Sequence, residues 1–140
     1  MSHAPLRLLA VILLAGAAFA TAQTDAEVSC EADREVFSEA YQTDRMAGTS
    51  ERRALLRRLE PLIDRYETSA PVCGGRLRGH EAFLYVMDEE YETLIETAGR
   101  YLAGPGRETS AKSQVALFHQ IAYAYSRLNQ PIQSEQAYFD

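Results

Sequence analysis

Tryptophan is absent from the chain, and lysine and asparagine occur once each, at Lys112 and Asn129. Histidine and cysteine are nearly as scarce, with 3 and 2 copies. Neither Cys30 nor Cys73 has a second cysteine or a histidine at ligand spacing, and no Cys-x-x-Cys pair is present for redox chemistry or haem attachment. His80-Glu81 opens like a zinc-protease helix, but Leu84 holds the place of the second histidine. No phosphate-cradling glycine loop exists: Gly74-Gly75 and Gly104-Pro105-Gly106 have the spacing of turns. Gly48-Thr49-Ser50-Glu51-Arg52 falls short of the Gly-x-Ser-x-Gly of a nucleophile elbow. These absences leave no catalytic set, no metal site and no cofactor, so the chain reads as non-enzymatic. Basic charge is also short, 14 residues against 20 acidic for a net −6, which argues against nucleic acid and anionic membrane as partners.

Long apolar runs are missing except at the start. Met1–Arg7 carries the amino terminus and Arg7, Leu8–Phe19 is continuously apolar or small, and Ala18-Phe19-Ala20 and Ala20-Thr21-Ala22 offer small residues for cleavage. Residues 1–22 therefore read as a secretory signal peptide, cut after Ala22 or Ala20. The apolar run is short of the about 20 residues that span a bilayer, and nothing later approaches that length. An uncleaved anchor is one alternative and acylation at Cys30 the other, but for the latter Glu27 stands where an aliphatic residue is wanted. Cleavage removes Arg7 and leaves a more acidic product, one domain with a modest core. Of the 14 basic residues all but Lys112 are arginine, a bias typical of GC-rich bacterial coding. In a bacterium, export means the periplasm or the cell surface.

An even cysteine count in an exported chain favours a Cys30–Cys73 disulfide, which would tie the first helix to the loop before the third. Two buried thiols are the alternative.

The rest is helical in pattern, with no sustained alternation of period two. The spacing predicts a first helix over 25–42, with Val28, Ala32, Val36 and Ala40 on its buried stripe and Phe37 and Tyr41 beside it. A second helix, capped by Ser50 and kinked or restarted at Pro61, carries Leu55, Leu59, Leu62 and Tyr66. Residues 70–75 read as a loop. A long third helix over 80–103 carries Leu84, Met87, Tyr91, Leu94, Ala98 and Tyr101, and Gly104-Pro105-Gly106 stops it. A fourth, capped by Thr109 or Ser110, runs to Leu128, and Pro131 opens a short fifth. Helices one and two form one hairpin and four and five another, with the third between them. Arg52, Arg53, Arg57 and Arg58 on helix two could hold a phosphate or an acidic partner, but Glu51, Glu60 and Asp64 dilute them. Asp88, Glu89, Glu92 and Glu96 on helix three could bind calcium or act as acid and base, but lie mid-helix and read as a solvated face. Glu96 and Arg100 have ion-pair spacing.

The last stretch carries the most specific pattern: Phe118, Ile121, Ala122, Tyr125, Asn129, Ser134 and Tyr138. This spacing resembles the front of a tetratricopeptide (TPR) repeat over about residues 115–140. Ala122 and Asn129 stand for that family's two glycines and Ser134 for its alanine. The resemblance implies an all-α fold of stacked antiparallel helical hairpins, TPR-like at the C-terminus, that binds peptides or protein tails. Residues 1–22 are then the signal peptide, 23–108 a helical N-terminal region of about three helices, and 109–140 a TPR-like hairpin that stops short at Asp140. The earlier hairpins are either diverged relatives or merely helical. An open last hairpin suggests the front of a longer repeat protein, self-association through that hairpin, or a frayed end.

In the family, the first helix of a repeat lines a groove with residues off its packing face. Carried onto this chain, these are His119, Tyr123, Ser126 and Arg127, which offer an aromatic surface, a hydroxyl, a titratable donor and a fixed cation for an extended peptide or a terminal carboxylate. The expected function is an exported, non-catalytic scaffold for another envelope or secreted protein. A small exported carrier of an apolar ligand is the alternative.

Overall fold

The computed structural model describes residues 25–130 together with Gln133, Gln136 and Ala137. The predicted signal peptide, and most of the predicted fifth helix including Pro131, Ser134 and Tyr138, lie outside the described residues. Within them the protein is all-α, with no strand. Helix α1 spans 25–44. It is followed by α2 (Thr49–Tyr66), α3 (Pro71–Met87), α4 (Tyr91–Ala103), a 3-10 turn (Pro105–Glu108) and α5 (Ala111–Arg127). Short connectors at 45–48, 67–70 and 88–90 join α1 to α2, α2 to α3 and α3 to α4. Helix α3 packs against α2, α4 and α5, and α5 also packs against α4.

Two apolar clusters share α3. One holds Cys30, Phe37 and Tyr41 of α1, Leu55, Leu59, Ile63 and Tyr66 of α2, and Cys73, Leu77 and Leu84 of α3. The other joins Ala82 of α3 to Tyr91, Leu94, Ala98 and Tyr101 of α4 and Leu117, Ile121 and Ala124 of α5. Because α3 is covered on several sides, it lacks the single apolar stripe of a surface helix.

Several sequence expectations are corrected. Residues 70–75 are not a loop: α3 begins at Pro71 and runs through Cys73-Gly74-Gly75. The glycines allow close helix approach here. A Cβ on Gly74 would lie 2.9 Å from Glu67 Cα, and one on Gly75 would collide with Thr109 Oγ1. The long third helix is two helices, broken at Asp88-Glu89-Glu90. Glu89 takes φ 58, while its N–H donates to Val86 O at 3.1 Å and Glu90 N–H donates to Tyr85 O at 2.9 Å. This is a Schellman stop with glutamate where glycine is usual. The buried stripe of α1 is Cys30, Phe37 and Tyr41, whereas Val28 and Val36 are 64% and 66% exposed. Two aromatic rings bury more area than the smaller Val/Ala stripe, and Cys30 must face its partner. Arg52 and Asp88 are not part of solvated clusters: both side chains are buried, and Arg52 Nε donates to Asp88 Oδ1 at 2.7 Å, pinning the α3–α4 turn to α2. Finally, Ser50 does not cap α2. The helix opens one residue earlier, at Thr49, so Ser50 falls inside its first turn, and it continues through Pro61 without restarting.

Other expectations hold. Ser110 caps α5 by accepting from Ser113 N–H, and the 3-10 turn at Pro105 ends the run after α4. Glu96 and Arg100 pair at 2.6 Å on the surface.

The Cys30–Cys73 disulfide is formed, with Cα atoms 6.1 Å apart. Beside it, Glu27 of α1 accepts from Val72 N–H and Cys73 N–H, both at 2.9 Å. A carboxylate from a different helix thus caps the first turn of α3, which has no cap of its own. Arg78 crosslinks further along, bonding Glu67 at 2.8 Å and Glu81 at 2.8 Å with its guanidinium over the Tyr101 ring.

Candidate functional site

Helix α5 divides cleanly into two faces. Leu117, Ile121, Ala122 and Ala124 are buried, and Phe118 and Tyr125 are half-buried. His119, Tyr123, Ser126 and Arg127 are all exposed, and Val115, one turn before His119, extends the same face. A period of 3.6 residues produces this division once Leu117 and Ile121 are committed to the core. Tyr123 is 44% exposed, yet its ring is held edge-on to Tyr91 with centroids 6.0 Å apart. The Tyr91 hydroxyl beside Arg127 holds that guanidinium above its ordinary range. The four residues therefore share one surface, with an aromatic at its centre steadied from α4 and a cation at its end.

A second concavity lies where α1, α3 and α5 meet. It has a volume of about 340 Å³. Arg34 comes from α1, Arg76 and His80 from α3, and Ser110, Lys112 and Ser113 from the start of α5. The concavity is open beside Gly79, where a Cβ would meet nothing within 4 Å, whereas at Gly75 the missing side chain lets Thr109 and Ser113 pack close. Glu31 holds both arginines, accepting from Arg34 Nε at 2.8 Å and from Arg76 Nη1 at 2.5 Å. The His80 ring packs on Tyr41 with centroids 4.4 Å apart. Burial, with the charges of Arg34 and Arg45 adding to it, lowers its pKa to about 4, so the ring is neutral at physiological pH. Its Nε2 is buried without a hydrogen-bond partner.

The TPR resemblance named His119, Tyr123, Ser126 and Arg127, and all four are exposed on α5. Sequence reasoning missed the cleft because Arg34, Arg76 and Lys112 come from three helices and form no local motif. Among the described residues no three His, Cys, Asp or Glu side chains converge on a metal position, and no helix is long and apolar enough to cross a membrane. No family model, curated protein or solved structure matches the chain.

Proposed function

We propose that this protein is an exported, non-catalytic helical scaffold that binds another envelope or secreted protein through the outer face of α5. The observation that carries this reading is the geometry of Tyr123. A large aromatic that is nearly half exposed, yet braced by Tyr91, loses little conformational freedom when a partner covers it. Tyrosine and arginine are the side chains most often found at the energetic centre of interfaces, and Arg127 lies one turn beyond Tyr123. The TPR-like spacing of α5 supports the same face, since it is the one such repeats turn toward peptides. The Cys30–Cys73 disulfide and the lack of a spanning helix among the described residues fit an exported protein.

The test is capture from envelope extract with the full-length exported protein and with its Tyr123→Ala/Arg127→Ala variant, followed by titration of any captured protein in purified form. The expected result is a partner that binds the wild type and loses about tenfold or more in affinity with the variant, while the far-UV spectrum and urea midpoint stay unchanged. Equal binding by both forms would remove the α5 face from the interaction.

A further inference from the structure

We propose that the cleft between α1, α3 and α5 binds a small multivalent oxyanion, a phosphate-bearing or polycarboxylate molecule. This inference is independent of the α5 partner surface. Its first support is charge. The chain carries 20 acidic residues against 14 basic, yet three cations from three separate helices, Arg34, Arg76 and Lys112, line one concavity. Only one carboxylate, Glu31, bonds to them among the described residues. Lys112 has no ion-pair partner among the described residues, so the cleft carries a surplus of positive charge.

The second support is preorganisation. Glu31 fixes Arg34 through Nε and Arg76 through Nη1, which leaves other guanidinium N–H groups of both arginines to donate. Planar guanidinium forks suit the paired oxygens of phosphate and carboxylate groups. The Ser110 hydroxyl donates to Ser113 Oγ at 3.1 Å, which leaves the Ser113 hydroxyl as a neutral donor at the cleft. His80 also lines the cleft, and its buried Nε2 is a polar atom whose hydrogen bonding the described residues leave incomplete.

The third support is space. About 340 Å³ lies at the lower end of the range for small-molecule sites, more than one inorganic phosphate needs. The space exists because Gly79 carries no side chain, and a Cβ there would meet nothing within 4 Å. A larger residue would fill the cleft without disturbing the core.

The experiment is titration of the disulfide-bonded exported protein with inorganic phosphate and, separately, with citrate, at constant ionic strength. Binding is read by calorimetry and by amide shifts in two-dimensional NMR. The expected result is saturable binding of at least one anion with Kd on the order of 1 mM or tighter, with shifts centred on Arg76, Gly79, His80, Lys112 and Ser113. Arg76→Glu and Lys112→Glu, both at exposed positions, should each weaken it by about tenfold or more. Arg53→Glu, exposed on α2 and not part of the cleft lining, should leave it unchanged. Gly79→Leu should weaken citrate more than phosphate. Binding of phosphate alone assigns the site to phosphate-bearing ligands, and binding of citrate alone to polycarboxylates. Absence of saturable binding by both anions would overturn the proposal. So would binding insensitive to Arg76→Glu and Lys112→Glu in variants whose NMR spectra remain folded.

Discussion

His80 packs against Tyr41 and Phe37 while Arg34 and Arg45 add positive charge nearby. Protonating the ring means placing a charge in a partly dry site beside two like charges, so its pKa falls from 6.5 to about 4. Unfolding returns the ring to water and to its ordinary value. Between those two values the unfolded chain therefore binds more protons than the folded one, and stability rises with pH. The His80 contribution is fully present above about pH 6.5 and is lost as pH falls toward 4. The loss by pH 5 is on the order of 2 kcal/mol. Glu81 acts in the opposite sense, because burial raises its pKa and favours the folded state as pH falls. The comparison that isolates His80 is therefore between proteins that both keep Glu81. Urea unfolding of wild type and His80→Phe at pH 7.5 and pH 5.0 should show a drop of about 2 kcal/mol greater in the wild type. Equal drops would mean that His80 titrates normally in the folded protein.

The start of α3 is held by two attachments from α1: the disulfide to Cys73 and the Glu27 carboxylate on Val72 N–H and Cys73 N–H. Removing the carboxylate leaves two first-turn donors without their acceptor, so Glu27→Ala should cost about 1–2 kcal/mol in the oxidised protein. Reducing the disulfide should cost about 2–4 kcal/mol, in line with a loop of this length. The two effects should not add, because without the crosslink α1 holds Glu27 less firmly over the helix end. A thermodynamic cycle of urea midpoints, comparing wild type with Glu27→Ala in the presence and absence of reductant, measures the coupling. Strict additivity would mean that α1 docks equally well without the bond. This junction was only half legible in the sequence. The cysteine pairing followed from compartment and count, but Pro71, Gly74 and Gly75 carry the composition of a loop. The two glycines reflect packing instead, since the end of α2 and the start of α5 press so close that a Cβ would collide, and Pro71 stands at the first helical position, where no N–H is needed. The break at Glu89 was hidden for the converse reason. Its left-handed residue is glutamate, and the 3- and 4-residue spacing of Leu84, Met87, Tyr91 and Leu94 continues across the turn.

At the scale of the whole molecule, α3 belongs to both apolar clusters, and α5 closes the second. That all-α character and the exposed face of α5 were readable from spacing alone, since local periodicity encodes which side of one helix is wet. The α1–α3–α5 cleft was not readable, since it depends on how three helices stack. The same stacking predicts that residues 109–140 are no detachable binding appendage. Leu117, Ile121 and Ala124 pack with Tyr91, Leu94, Ala98 and Tyr101, and Thr109 packs close to Gly75. A chain ending at residue 108 would expose the buried sides of α4 and the C-terminal half of α3. Burial of side chains such as Leu117 and Ile121 is worth about 1.5–3 kcal/mol each, a large share of the roughly 5–15 kcal/mol that holds a small domain together. The protein cut at 108 should therefore lose its sharp urea transition and its near-UV tyrosine signal while keeping some far-UV helicity. The full chain should show one transition at which both signals change together. A shortened chain that unfolds as cooperatively as the whole, at a similar midpoint, would show that α1–α4 form a complete unit and that α5 is only docked onto it. Partner binding by α5 is therefore best tested with substitutions on its wet face, which leave Leu117 and Ile121 in place.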